Sequence, residues 1–419
     1  MRGKKFIRLI VGILAITTAS LVLGSSAWAQ AKFKMLHKFT GPAHGRTPNA
    51  GLTFDTAGSL YGTTHGGGTN HNHGSVFKLT PNADGTWTES VIHSFSGTPD
   101  GYWPSAALIF DTAGNLYGTT YRGGVWDSGT VFELVPNSDG TWTENILYSL
   151  LGWYWKDGQF PQAGLIFDGA GNLYGTASTG GLCNQGYDCY GVVFERTHNP
   201  DGSWTESLPH EFYRDGLDGV YPSDALIFDA VGNLYGTTYS GGTYFWYGTV
   251  FKMKPNGDGT WTESVLYGFT GGNDGANPYA GLVFDAAGSL YGTASQGGAY
   301  GGGVVFKLTP NRNGTWRQRV LHQFAGKEGS APVAGLIFDP AGNLYGTAAG
   351  GGAYGYGVVF RMQHKPIGGW SYRVLHSFRN ATDGAYPGAG LILDEAGNLY
   401  GTTEGDSKQT FGTVFQITP

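Results

Sequence analysis

Asp111-Thr-Ala-Gly-Asn-Leu-Tyr-Gly-Thr119 decides the fold, because the same phrase, D-x-x-G-(N/S)-L-Y-G-T, occurs seven times in 419 residues. Its tyrosines fall at Tyr61, Tyr117, Tyr174, Tyr235, Tyr291, Tyr345 and Tyr400, spaced 56, 57, 61, 56, 54 and 55 residues apart. Self-similarity at a fixed period is the signature of a repeat architecture. No linker or change of composition interrupts the copies, so residues 30–419 read as one domain.

Working outward from the phrase, each copy reads as four strands. In the second copy they are Ala107 to Asp111, Asn115 to Thr120, Gly129 to Leu134 and Thr143 to Leu150. All four carry β-branched and aromatic residues, and none shows a helical period. Asp111-Thr-Ala-Gly114 has the chemistry of a type I turn, and Asp139-Gly140 that of a tight hairpin. Four-stranded antiparallel units repeated radially make an all-β propeller, here with seven blades. The ends support closure. Phe33-Lys-Met-Leu-His-Lys-Phe39 matches a fourth strand with no three strands before it, and the last copy stops at a third strand, Gly412 to Ile417. Pairing the two closes the ring and removes two open sheet edges.

Residues 1–29 read as a secretory signal. Arg2, Lys4, Lys5 and Arg8 precede an apolar stretch, Leu9 to Leu23, and Ala27-Trp28-Ala29 offers a cleavage site before Gln30. Without those four basic residues the chain carries 21 basic against 31 acidic groups, a net −10. That excludes a general nucleic-acid partner, which wants a basic face. The remainder holds no apolar run long enough for a membrane span. A secreted or periplasmic monomer without a cofactor is expected.

G-N-L-Y-G-T-T-x-x-G-G followed by G-T-V-F-K-L resembles the GloVer tandem repeat family of exported bacterial proteins, whose members end in differing surface anchors. The resemblance covers essentially the whole mature chain. It implies location and architecture but no mechanism. The chain departs from it at Pro419, directly after a strand, so a free form is expected.

The repeat also sorts scaffold from site. Asp55, Asp111, Asp168, Asp229, Asp285, Asp339 and Asp394 recur in every copy, which favours a turn-capping role over calcium binding. His37, His93, Tyr148, His210, Tyr267, His322 and His376 share one outer-strand position, as expected for an aromatic partly covered between blades. The loops joining strands two and three, and those joining blades, share one face and vary; function on rigid scaffolds sits on such loops. That face carries Trp103, Trp126, Trp155, Tyr221 and Trp246, whose flat rings suit sugars or peptide side chains, or else plug gaps between loops. Cys183 and Cys189 are expected to staple one loop. His65, His71 and His73 are weak metal candidates in another loop.

Asp224 breaks the pattern, because its six sister positions are all Ala: Ala50, Ala106, Ala163, Ala280, Ala334 and Ala389. It precedes an innermost strand and is expected at the mouth of the central channel, where Asp218, Tyr221 and Trp246 could share a site with it. The leading reading is a non-enzymatic exported protein that binds a glycan or another extracellular polymer. A polymer-degrading lyase or hydrolase at the channel mouth is the second, and a structural or protein-interaction module the third.

Overall fold

Each copy of the phrase folds as the inner hairpin of one antiparallel blade. The computed structural model describes residues 30–69, 72–152, 157–181, 190–406, 408 and 410–419, and Ala31–Pro419 is one compact unit. Seven four-stranded blades, I to VII in chain order, form a β-propeller. In blade II the strands are Ile109–Phe110, Leu116–Gly123, Thr130–Pro136 and Trp142–Ser149. The outer strand of blade VII is the N-terminal segment Lys32–Lys38, antiparallel to Thr413–Thr418 with Phe33 opposite Ile417. The ring closes as the spare strand requires.

The hairpin phrase explains itself atom by atom. Asp111 Oδ1 accepts the backbone N–H groups of Ala113 at 2.9 Å and Asn115 at 2.8 Å, and the Tyr117 hydroxyl donates to Oδ2 at 3.2 Å. The recurring Asp therefore caps a turn. The Gly of L-Y-G is a matter of space: a Cβ on Gly118 would lie 2.7 Å from both Leu108 and Phe132.

The innermost strands are only two residues long, shorter than the apolar runs suggest. Residues just before them bond between blades instead. The Thr63 hydroxyl donates to the Ala106 carbonyl of the next blade at 3.3 Å, and six sister threonines repeat the bond around the ring. Just upstream, Thr47, Trp103, Phe160, Tyr221, Asn277, Ala331 and Tyr386 each precede a proline with φ between 51° and 60°. Each donates its backbone N–H to a carbonyl of the preceding blade, as Trp103 does to His73 at 2.8 Å.

The core lies between blades. Tyr117 meets Phe167 of the next blade edge-on at 5.2 Å, within a cluster of Leu150, Leu165, Leu173, Val192 and Phe194. Every outer strand carries a bulge just before its His or Tyr, as between Ile146 and Tyr148. Such a bulge re-aims the following side chain, here toward the neighbouring blade. No described helix is long and apolar enough to cross a membrane.

Candidate functional site

Two rings of positions surround the channel on the face of the variable loops. One is the residue after the blade-entry proline: Asn49, Ser105, Gln162, Ser223, Tyr279, Val333 and Gly388. The other follows Gly-Thr-Thr or Gly-Thr-Ala at the end of the second strand: His65, Tyr121, Ser178, Tyr239, Ser295, Ala349 and Glu404. The backbone is repeated at both rings, yet the side chains are not. All of the first ring and five members of the second line a cavity of about 750 Å³. Seven small residues, Gly or Ala, make its throat: Gly51, Ala107, Gly164, Ala225, Gly281, Gly335 and Gly390.

Asp224 lines this cavity, half-buried, as its place in the repeat predicts. Its carboxylate accepts the backbone N–H of Ala225 at 2.6 Å and that of Gly281 in the next blade. Burial pushes its pKa up to about 6 against the opposing pull of those two N–H groups. Glu404, half-buried and lining the same cavity, is also pushed up by burial. Tyr279 of blade V donates its hydroxyl to Gln162 Oε1 of blade III at 2.9 Å, reaching past blade IV, which carries Asp224. Burial and then the Asp224 charge push the Tyr279 hydroxyl up to about 12. Tyr239 packs edge-on to Tyr279 at 6.1 Å. His65 is pushed down by burial and bonds Ser105 through Nδ1 at 3.0 Å. The described lining includes no Lys or Arg. The cavity thus presents carboxylates, phenols, amides and hydroxyls, the donor and acceptor set that meets polyols and cations.

The cavity lining takes in none of Asp218, Tyr221 and Trp246. Asp218 is engaged outside the cavity: it accepts from the Gly219 and Tyr213 N–H groups and lies 3.0 Å from His210 Nε2. It does not pair with Asp224, whose raised pKa comes from burial alone. Tyr221 is exposed and edge-on to Tyr190 at 6.2 Å. Trp246 is exposed beneath the Arg214 guanidinium, 5.1 Å from its ring centre, so Arg214 serves the indole. Trp103 stacks on His65 at 5.4 Å, next to the cavity wall, and Trp126 is exposed. His73 lies by Tyr102 at 5.2 Å. Trp155, His71, Cys183 and Cys189 lie outside the described residues.

Glu404, Tyr279, Tyr239 and Tyr121 escaped the reading of the sequence. The signal was present: their two columns of the repeat differ from blade to blade, while the residues just before them repeat, Pro in one column and Thr or Ala in the other.

A family model described as the Gloeobacter/Verrucomicrobia repeat matches residues 25–245, 146–317 and 232–419. No curated protein matches the chain.

Proposed function

The chain belongs to the Gloeobacter/Verrucomicrobia repeat family, and from its channel mouth we propose that it is an exported binding protein that takes part of a glycan or other extracellular polymer there. One observation carries this reading. A scaffold that repeats its turns, threonines and glycines seven times abandons repetition at the two rings lining a single cavity. Folding requires no such variety, since Gly388 and Val333 occupy the same column as Tyr279 and Gln162. Tyrosine rings with nearby carboxylates and amides suit sugar faces and hydroxyls. The net negative charge of the chain makes neutral or cationic polymers better partners than anionic ones.

The test is a glycan array on purified protein, followed by calorimetry on any hit. Tyr279→Gly installs the sister residue of blade VII and should weaken a true ligand at least tenfold. Undiminished binding by that variant would move the site off the channel. The enzymatic reading draws on one feature, the raised pKa of Asp224, because acids poised near neutrality suit proton transfer. Release of shortened chains from a bound polymer would favour it.

A further inference from the structure

Three side chains meet at every junction between blades. They are the outer-strand His or Tyr, the residue before the Gly of the blade-to-blade turn, and the residue four before the next His or Tyr. At most junctions they carry one carboxylate. Asp274 meets Gln318 between blades IV and V, with the Gln318 amide donating to its carbonyl at 3.1 Å. Glu328 meets Tyr372 between V and VI, and Asp383 shares His376 with Phe33, whose ring stacks on the imidazole at 4.1 Å, between VI and VII. His44 faces Glu89 at 3.0 Å between VII and I.

Three junctions bring two carboxylates together, and one of them supplies its own cation. Between blades II and III, the Tyr148 hydroxyl lies 2.9 Å from Asp157 and 2.6 Å from Glu206 and donates its one proton to either carboxylate. There the fully buried Arg196 forms an ion pair with Glu206, Nη1 to Oε1 2.8 Å, without hydrogen-bond geometry, and its guanidinium lies 3.4 Å over the Tyr148 ring. Its sister positions are all aliphatic or Met: Leu79, Leu134, Met253, Leu308, Met362 and Ile417.

The other two have no such cation, and each has a histidine. His93, Asp100 and Glu144 sit between blades I and II, and His210, Asp218 and Glu263 between III and IV. In each trio the ligand-type atoms lie within 4.8 Å of one another. Among the described residues no Lys or Arg pairs with these four carboxylates. His93 Nε2 is 3.5 Å from Glu144 and 3.9 Å from Asp100, too far for hydrogen bonds, whereas His210 Nε2 is 3.0 Å from Asp218, a hydrogen bond that a bound cation would replace. Donors placed tetrahedrally about 2.1 Å from a zinc ion stand roughly 3.4 Å apart. His93 Nε2, Glu144 Oε1 and Glu263 Oε1 are buried without a hydrogen-bond partner.

We propose that each of these two junctions binds a divalent transition-metal cation of the zinc class, held by one imidazole and two carboxylates. The cation does there what Arg196 does between blades II and III. It bridges neighbouring outer strands, so it clamps blade I to II and blade III to IV.

The test uses the full mature chain, stripped with a chelator and titrated with Zn²⁺ by calorimetry and with Co²⁺ by visible absorption. Two equivalents should bind. His93→Tyr and His210→Tyr should each remove one, and the double variant both. Tyr is the native residue of the Asp157–Glu206 junction, so the fold should tolerate it; melting of the chelated variants checks this. Glu144→Gln with Glu263→Gln, the pattern of the Gln318 junction, should also abolish both sites. Changing His65 and His73 to Ala should leave both intact. Failure of the parent to bind either metal overturns the proposal, as does full binding by the double Tyr variant.

Discussion

The Thr402 hydroxyl of blade VII donates to the Ala50 carbonyl of blade I at 3.1 Å, across 352 residues of chain. It is the bond that completes the inner ring. Thr402→Val keeps the shape and removes the donor, leaving a buried carbonyl unpaired, at a cost of about 1–2 kcal/mol. The equivalent Thr176–Asp224 bond is longer, 3.5 Å, so Thr176→Val should cost less. Chemical denaturation of both variants measures the difference. Equal losses would mean that the hydroxyls serve packing alone. Deleting residues 30–38 should do far more, exposing the Thr413–Thr418 edge and promoting aggregation.

The entry to each blade stores backbone strain. Ala331 has φ 51°, in the left-handed region that costs an L-residue about 1–2 kcal/mol, while Asn tolerates it best of the non-glycine residues. Blade V already uses Asn277 there, and its amide donates to the Tyr239 and Trp246 carbonyls at 2.9 Å. Ala331→Asn should therefore raise stability by about 0.5–1 kcal/mol. A lower melting temperature would show that the strain is relieved elsewhere.

Asp224 makes a prediction with a pH window. Its native pKa is raised from 3.8 to about 6, so the folded state holds its proton more tightly than the unfolded chain. Stability from that proton is complete below pH 4 and lost as pH rises through 6, by about 3 kcal/mol at most. Asp224→Ala should lack this loss. Its stability curve against pH should be flatter than the parent's, gaining relative stability between pH 4 and 7. Parallel curves would place the carboxylate in open water.

Seven blades and their closure were legible because a period of some 56 residues repeats every turn, and because Phe33 to Phe39 lacked three strands of its own. Asp224 was legible because it alone replaced Ala in its column. Its supposed companions were not, for physical reasons. Asp218 spends its oxygens on the Gly219 and Tyr213 amides and on His210, and nothing in one blade's sequence reports that. Tyr279 reaches past a whole blade to Gln162, 117 residues away, a contact fixed only by ring geometry. The aromatic loops read as variable, but one blade's sequence does not report which rings reach the channel: Tyr121, Tyr239 and Tyr279 line the cavity and Tyr221 does not.

Arg196 offers the sharpest test of how the junctions balance charge. Its guanidinium is fully buried, and its partner Glu206 is held above the usual carboxylate range, burial and then the neighbouring Asp157 outweighing the attraction of the arginine. Arg196→Leu restores the residue of blades I, II and V but strands Asp157 and Glu206 beside each other. Breaking a buried pair in this way costs about 3–5 kcal/mol. The loss should depend on pH. Glu206 already favours its proton, so acid can neutralise it once the arginine is gone. The penalty should be largest at pH 8 and shrink toward pH 5. Replacing the second carboxylate as well, Arg196→Leu with Glu206→Gln, should recover most of the stability at pH 8, because Gln318 is tolerated beside Asp274. A double-mutant cycle by urea denaturation at both pH values measures the coupling. Additive losses that do not change with pH would mean that Arg196 acts through its packing on Tyr148, and that two carboxylates at a blade junction need no cation.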